Sequence, residues 1–173
     1  MAMSPRTKKR PTPLKGFEIR KNKKGKAVYA TRSYKKGEFV YRLGGKATRP
    51  HSLGYHLADF KSASNNPLQV GPTTYIQLSI PSLYFNHSCG PNLGIRNRSD
   101  LYALHAIKKG EELSYDYATT IDESFECLCG SRKCRRAIGD FFMLPRSVQS
   151  SYYKHNALPA HIRRKFARLK RSP

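Results

Sequence analysis

Apolar positions from residue 17 to residue 107 fall in short runs that turn signals interrupt. Phe17-Glu18-Ile19 alternates, and Ala27-Val28-Tyr29-Ala30-Thr31 is rich in strand formers, whose side chains pack well on a pleated surface. Lys35-Lys36-Gly37-Glu38 reads as a turn and Phe39-Val40-Tyr41 as the next strand. Thr73–Ile80 predicts a further strand, with Tyr75, Ile76, Leu78 and Ile80 as its bulk. Leu101–Ile107 predicts another, stopped by Lys108-Lys109-Gly110. Strands this short predict a mainly β domain of several small sheets. Leu53, Leu57 and Phe60 stand near helical spacing and predict a short helix or irregular insert over Leu53–Ser64.

The period changes near the C-terminus. Pro159 suits the start of a helix. Ile162, Phe166 and Leu169 follow at i, i+4 and i+7, among Arg163, Arg164, Lys165, Arg168 and Lys170. This spacing predicts a basic amphipathic helix of about three turns. It could dock on the domain by its apolar stripe and leave the basic side free, lie along a nucleic-acid backbone, or bind an acidic partner. Residues 1–13 hold three prolines and the run Thr7-Lys8-Lys9-Arg10. They have too little to bury to offset the entropy of ordering. A disordered basic tail over 1–14 is expected, usable as a nuclear address or a phosphate anchor.

Charge sharpens this division. The chain of 173 residues carries a formal +22. Residues 1–26 hold ten Lys/Arg against one acid, and 132–173 hold twelve against one, while the 105 residues between are nearly balanced. Two basic flanks on a neutral domain predict non-specific contact with nucleic acid through residues 1–26 and 132–173. The length suits one domain with a core that needs no disulfides. The first residues lack the apolar stretch of a secretory signal, and no run is long enough to span a membrane. An intracellular protein is expected: nuclear or chromatin-bound in a eukaryote or virus, cytoplasmic or nucleoid-bound in a prokaryote.

Three clusters carry chemistry. Cys127, Cys129 and Cys134 lie within eight residues, and in a reducing compartment such spacing favours metal over disulfide. Zinc takes four ligands, so three leave one position, and Cys89 is the only other cysteine. Tyr115 and Tyr117 are two apart and would face one way on a strand. Aromatic walls there would exclude water and hold a charged or methylated amine face-on. Asn86 and His87, taken alone, would read as ordinary core residues.

Taken in order, Asn86-His87-Ser88-Cys89-Gly90-Pro91-Asn92, Glu111-Glu112-Leu113-Ser114-Tyr115-Asp116-Tyr117 and Cys127-Leu128-Cys129-Gly130-Ser131-Arg132-Lys133-Cys134 resemble the end of a SET domain with its cysteine-rich post-SET segment. The resemblance covers roughly Lys15 to Leu144. It implies a SET fold: several small sheets around a knot-like core, with few short helices. It also implies methyl transfer from S-adenosylmethionine to a protein lysine. It divides the matched part into a SET domain over 15–120 and a post-SET zinc segment over 121–145, and the basic extension over 146–173, expected from its own spacing to be helical, follows. Cys89, Cys127, Cys129 and Cys134 would then hold zinc. Gly25, Lys26, Ala27, Val28, Tyr29, Asn86, His87 and Tyr117 would contact the cofactor. Tyr117 would be the catalytic tyrosine, and Tyr115 would set the product number towards monomethylation.

The family pattern is altered in two places. Ala27 stands where a second glycine is usual after Gly25, and Tyr41-Arg42-Leu43-Gly44-Gly45 has lost a glutamate. The competing readings are a SET-like scaffold without catalysis, acting through its basic flanks, and a zinc-stabilised nucleic-acid-binding domain unrelated to SET. The substrate expected first is a histone or another DNA-packaging protein, and second a ribosomal protein. No reader or adaptor module accompanies the domain, so a stand-alone enzyme of a microbe or virus, or a fragment of something larger, is expected.

Overall fold

The computed structural model describes residues 16–23, 25–48, 67–121 and 124–171. The tail over 1–14 and the insert over Leu53–Ser64 lie outside the described residues. In chain order the strands are β1 (Phe17–Asn22), β2 (Gly25–Ala30), β3 (Phe39–Arg42), β4 (Gly45–Thr48), β5 (Pro67–Gln69), β6 (Tyr75–Leu78), β7 (Asn86–His87), β8 (Leu93–Arg96), β9 (Asp100–Ala103), β10 (Ser114–Tyr115), β11 (Phe125–Glu126) and β12 (Ala137–Ile138). Two helices follow, α1 (Arg146–Lys154) and α2 (Ala160–Leu169).

The mainly β expectation holds, and the sheets are small. β1 and β2 form an antiparallel hairpin, β3-β9-β8 and β4-β6-β5 are three-stranded, and β11 pairs β12. β7 and β10 pair in parallel, Ser114 beside Asn86 and Tyr115 beside His87. Between the sheets lies one apolar core, in which Val28, Leu43, Phe85, Leu93, Leu101 and Leu113 are buried. Tyr41 stacks on Phe85 with centroids 5.5 Å apart, and Phe17 meets both rings edge-on. Such aromatic pairs add to area burial.

Several strands stop short of their predicted bounds. The run Leu101–Ile107 is strand only to Ala103, because His105 and Ala106 turn out to solvent. Ile107 returns to the core through a single bridge to Tyr34. The run Thr73–Ile80 is strand over Tyr75–Leu78, and Ile80 is exposed ahead of Pro81, which has no N–H for a ladder. β4 and β8 were not marked by the apolar pattern.

The C-terminal helix begins after Pro159, as its spacing predicts. Ile162 and Phe166 are buried, but Leu169, the third member of the stripe, is 48 % exposed. α1 falls within the extension expected to be helical, although no apolar spacing marked it as an element of its own. Together the helices close a second core of Ala118, Phe141, Leu144, Leu158, Ile162 and Phe166. Their linker presses on β8: Ala160 N–H donates to Asn97 O at 2.6 Å, and Arg96 Nε to Asn156 O at 3.0 Å. Gly94 permits this approach, since a Cβ there would lie 2.6 Å from Ala157 Cβ.

Candidate active site and metal centre

The parallel crossing of β7 and β10 places the motif residues. Asn92 clasps it, donating from Nδ2 to Glu112 O at 2.8 Å and accepting at Oδ1 from Ser114 N–H at 3.0 Å. Beyond Tyr115 the chain leaves the strand. Asp116 accepts from Ala118 N–H at 3.1 Å and opens a 3-10 turn over Tyr117–Thr119. The two tyrosines therefore do not share a strand, contrary to the expectation from their spacing, because the Asp116 carboxylate caps a turn between them. Their rings still meet, with centroids 4.9 Å apart. Tyr117 donates its hydroxyl to Phe85 O at 3.0 Å. Burial pushes both phenols above their ordinary value, and the Glu112 charge adds to this at Tyr117. Neither is a phenolate at neutral pH, so each offers a hydroxyl and a ring face rather than a base.

Beside them lies a polar cluster. Asn86 Nδ2 donates to Lys26 O at 3.2 Å and to Glu112 Oε1 at 3.1 Å. Tyr29 OH approaches Glu112 Oε2 at 3.4 Å. Gly25 and Lys26 are exposed at its rim, and Lys26 Nζ reaches Tyr84 OH at 3.2 Å. The side chains of Ala27 and Val28 are fully buried. Glu112 joins three separate segments here, though the sequence reading gave it no role. Its place in the motif was visible, but its partners come from β2 and β7.

All four cysteines converge. Cys127 Sγ lies 3.7 Å from Cys89 Sγ and 3.7 Å from Cys134 Sγ. Donor atoms of His87, Cys89, Cys127 and Cys129 all lie within 4.8 Å of one another. A tetrahedral centre with metal–sulfur bonds of about 2.3 Å has sulfur–sulfur edges of about 3.8 Å, and a disulfide needs about 2.05 Å. The spacing fits zinc and not a disulfide. His87 is the unforeseen neighbour. Its Nδ1 accepts from Tyr117 N–H at 3.1 Å, and burial holds the ring neutral with a pKa of about 4. The hydrogen therefore sits on Nε2, 3.2 Å from Cys89 Sγ. His87 thus donates towards the Cys89 sulfur and links the thiol cluster to Tyr117.

Asp116 is the second junction. It is fully buried and accepts two hydrogen bonds from Arg135, at 2.7 and 2.8 Å. Tyr152 of α1 donates its hydroxyl to Oδ2 at 2.8 Å. A buried carboxylate is tolerable only when paired and hydrogen-bonded in this way. Burial first, and the Asp116 charge next, push the Tyr152 phenol above its ordinary range. The motif showed Asp116 in sequence, but nothing there pointed to Tyr152.

Small sheets around a parallel crossing, paired tyrosines and an adjacent thiol centre define a β domain organised about one candidate reaction centre. The SET domain family model matches residues 25–118, more than half of the chain, and the chain belongs to that family. It is 28 % identical over 170 residues to the histone-lysine N-methyltransferase, H3 lysine-9 specific dim-5, of Neurospora crassa, covering 73 % of this chain and 51 % of that protein. It is 29 % identical over 140 residues to the variant-silencing SET domain-containing protein of Plasmodium falciparum, covering 70 % of this chain and 6 % of that one. The chain therefore spans about half or less of the length of these relatives. Its fold resembles the methyltransferase domain of human histone-lysine N-methyltransferase SETMAR, with TM-score 0.54 and 25 % identity over 72 % of this chain and 58 % of that one. It also resembles KRYPTONITE in complex with mCHG DNA and SAH, with TM-score 0.58 and 23 % identity over 73 % of this chain and 30 % of that one.

Proposed function

We propose that this chain is a protein-lysine N-methyltransferase that uses S-adenosylmethionine. The observation that carries the reading is the pair of buried Tyr115 and half-buried Tyr117, rings 4.9 Å apart, with the Tyr117 hydroxyl fixed on Phe85 O. When bound, S-adenosylmethionine supplies a methyl group on a sulfonium cation. The residues present fit such a molecule. The Gly25–Tyr29 backbone, the Asn86 amide and the His87 main chain offer polar contacts, and Glu112 offers a negative charge.

The chain's own task is to present a neutral amine in line. A free lysine with a pKa of about 10.4 is neutral only about once in a few thousand at pH 7. Buried ring faces and a nearby cation disfavour the ammonium form. A neutral amine aligned by these rings would accept the methyl group that the bound sulfonium would supply, having first given its ammonium proton to solvent. Tyr117 orients the amine, and Tyr115 narrows the space so that one methyl group is transferred. The four cysteines hold zinc and latch the segment after residue 121 onto the Asn86–Asn92 loop.

The substrate proposed first is a histone or another DNA-associated basic protein, as the names of the relatives suggest. Such a substrate is cationic and is repelled by a +22 chain in free solution. On DNA its charge is masked, and the basic flanks share the polyanion. Methylation should therefore be faster on DNA-bound substrate at low salt, and the gain should fade as salt rises. The scaffold reading rested on Ala27. That side chain is packed wholly within the protein, so its methyl group takes no space from a ligand.

The test is transfer of labelled methyl groups to histones, DNA-packaging proteins and ribosomal proteins, with Tyr117→Phe as control. Labelling lost in the control, with a monomethyl product by mass spectrometry, supports the reading. Absence of S-adenosylmethionine binding by calorimetry would overturn it in favour of the scaffold.

A further inference from the structure

α2 has two unlike faces. Ile162 and Phe166 are buried in the core that includes Ala118, the residue after Tyr117. On the opposite side Arg164 and Arg168 stand one turn apart, and Arg171 continues the row in the turn that follows, its N–H on Arg168 O. A rise of 1.5 Å per residue sets Arg164 and Arg168 about 6 Å apart along the axis.

The bases at the edges of this helix are already engaged. Arg163 lies over the Tyr153 ring at 4.2 Å and donates to Tyr153 O at 2.7 Å. Lys165 lies over Phe142 at 4.4 Å, and Lys170 over Tyr153 at 5.6 Å. Arg164, Arg168 and Arg171 are exposed, and among the described residues none of them makes an ion pair or side-chain hydrogen bond. Residues 141–173 contain eight Lys/Arg and no acid.

The stability of the fold does not ask for this row. Arg164 near the N-terminus opposes the helix dipole, Arg168 in the last turn gains only a little from it, and a run of like charge repels itself. Guanidinium groups pair bidentately with phosphate. The outer face offers only Leu169 as an apolar anchor, too little for the centre of a protein interface. We infer that the Arg164–Arg168–Arg171 ridge is a docking surface for the phosphate backbone of nucleic acid. Arg98 extends it, since its exposed turn is bonded to the start of α2 through Asn97 O and Ala160 N–H. Binding there reads charge and not sequence. The inference deepens the nucleic-acid contact proposed above and is independent of methyl transfer.

The test is fluorescence anisotropy of a short labelled DNA duplex against the full chain, across a salt series. The triple variant Arg164→Gln, Arg168→Gln, Arg171→Gln should bind about tenfold or more weakly, with a log–log salt slope shallower by about 2.7. A control removes the same charge elsewhere: Lys35→Gln, Lys36→Gln, Lys109→Gln on the β domain. Circular dichroism checks that each variant keeps its helices. Equal losses in the ridge variant and in this control would overturn the ridge while leaving general nucleic-acid contact standing. If polyglutamate competes as well as DNA at matched charge, the ridge serves an acidic protein instead. If the unaltered chain binds no duplex at low salt, both the ridge and the nucleic-acid contact fall, and methyl transfer is untouched.

Discussion

Two segments follow the same β core and reach the same residue, yet different forces hold them. Residues 124–139 bury only Cys127 and Ile138, and their remaining apolar side chains, Phe125 and Leu128, are exposed. Residues 141–171 bury Phe141, Leu144, Leu158, Ile162 and Phe166. Each large side chain of that kind contributes about 1.5–3 kcal/mol when fully buried. The helical extension thus has a core of its own, and in place of one the cysteine segment has three thiols crowded against Cys89. Such thiols cannot all ionise without a cation among them. On the zinc reading proposed above, the ion stands in for the core that the short segment lacks, whereas the two amphipathic helices bring their own.

Removing the ion should break the comparison most visibly. Binding at a structural zinc site is worth on the order of 10 kcal/mol. Cys127→Ser, or a chelator, should abolish one bound zinc per chain by elemental analysis. Hydrogen exchange over 124–139 should rise, while protection in α1 and α2 persists. Should the helices lose protection in parallel, the two segments form one cooperative unit and the contrast fails.

The next largest effects come from the junction and from the second core. Arg135→Met leaves Asp116 buried without its charge partner, a loss of about 3–5 kcal/mol. Phe166→Ala opens a cavity beside Phe141 and Ile162, at a cost of about 3–5 kcal/mol. Thermal melts should show both. Only the first should also disturb zinc stoichiometry, because the Arg135 side chain on Asp116 anchors the backbone whose N–H donates to Cys89 Sγ at 3.4 Å. Tyr152→Phe should cost about 1 kcal/mol through the lost bond to Asp116. A double-mutant cycle with Arg135 should show coupling, since both side chains share one carboxylate. Additive losses would mean that the segments meet at Asp116 without communicating.

What was legible in the sequence follows the same line. Short β runs and the stripe Ile162–Phe166 carry their own periodicity, so the sheets and α2 could be read before any contact was known. The cysteines could be grouped because three sit within eight residues. Glu112 and Tyr152 were not legible as site residues. Their partners lie 26 and 36 positions away, Asn86 for one and Asp116 for the other, and no local pattern encodes such a meeting. α1 was not marked as an element of its own because Val148, Tyr152 and Tyr153 form only a weak apolar face among serines. The turn at Tyr117 was missed because a period of two assumes a strand, and Asp116 ends it with its own side chain.

The smallest expected effect tests the contrast through pH. His161 lies on α2, and neither ring nitrogen has a partner among the described residues. Burial first, and the charges of Arg164 and Lys165 next, lower its pKa from 6.5 to about 4. An unfolded chain takes up this proton as pH falls through 6.5, whereas the folded chain resists until about 4. The unfolded state then binds more protons, so stability is full above pH 6.5 and declines towards pH 4. With discount for partial exposure, the loss is about 1 kcal/mol. His161→Gln should flatten the pH dependence of the melting temperature between pH 7 and 5. It should leave zinc stoichiometry at pH 7 unaltered, because the ring belongs to the helical side of the molecule. An unchanged pH slope in that variant would place the acid sensitivity on the cysteine side, where thiolates compete with protons for their metal. The ion-held segment would then be the first to loosen as pH falls.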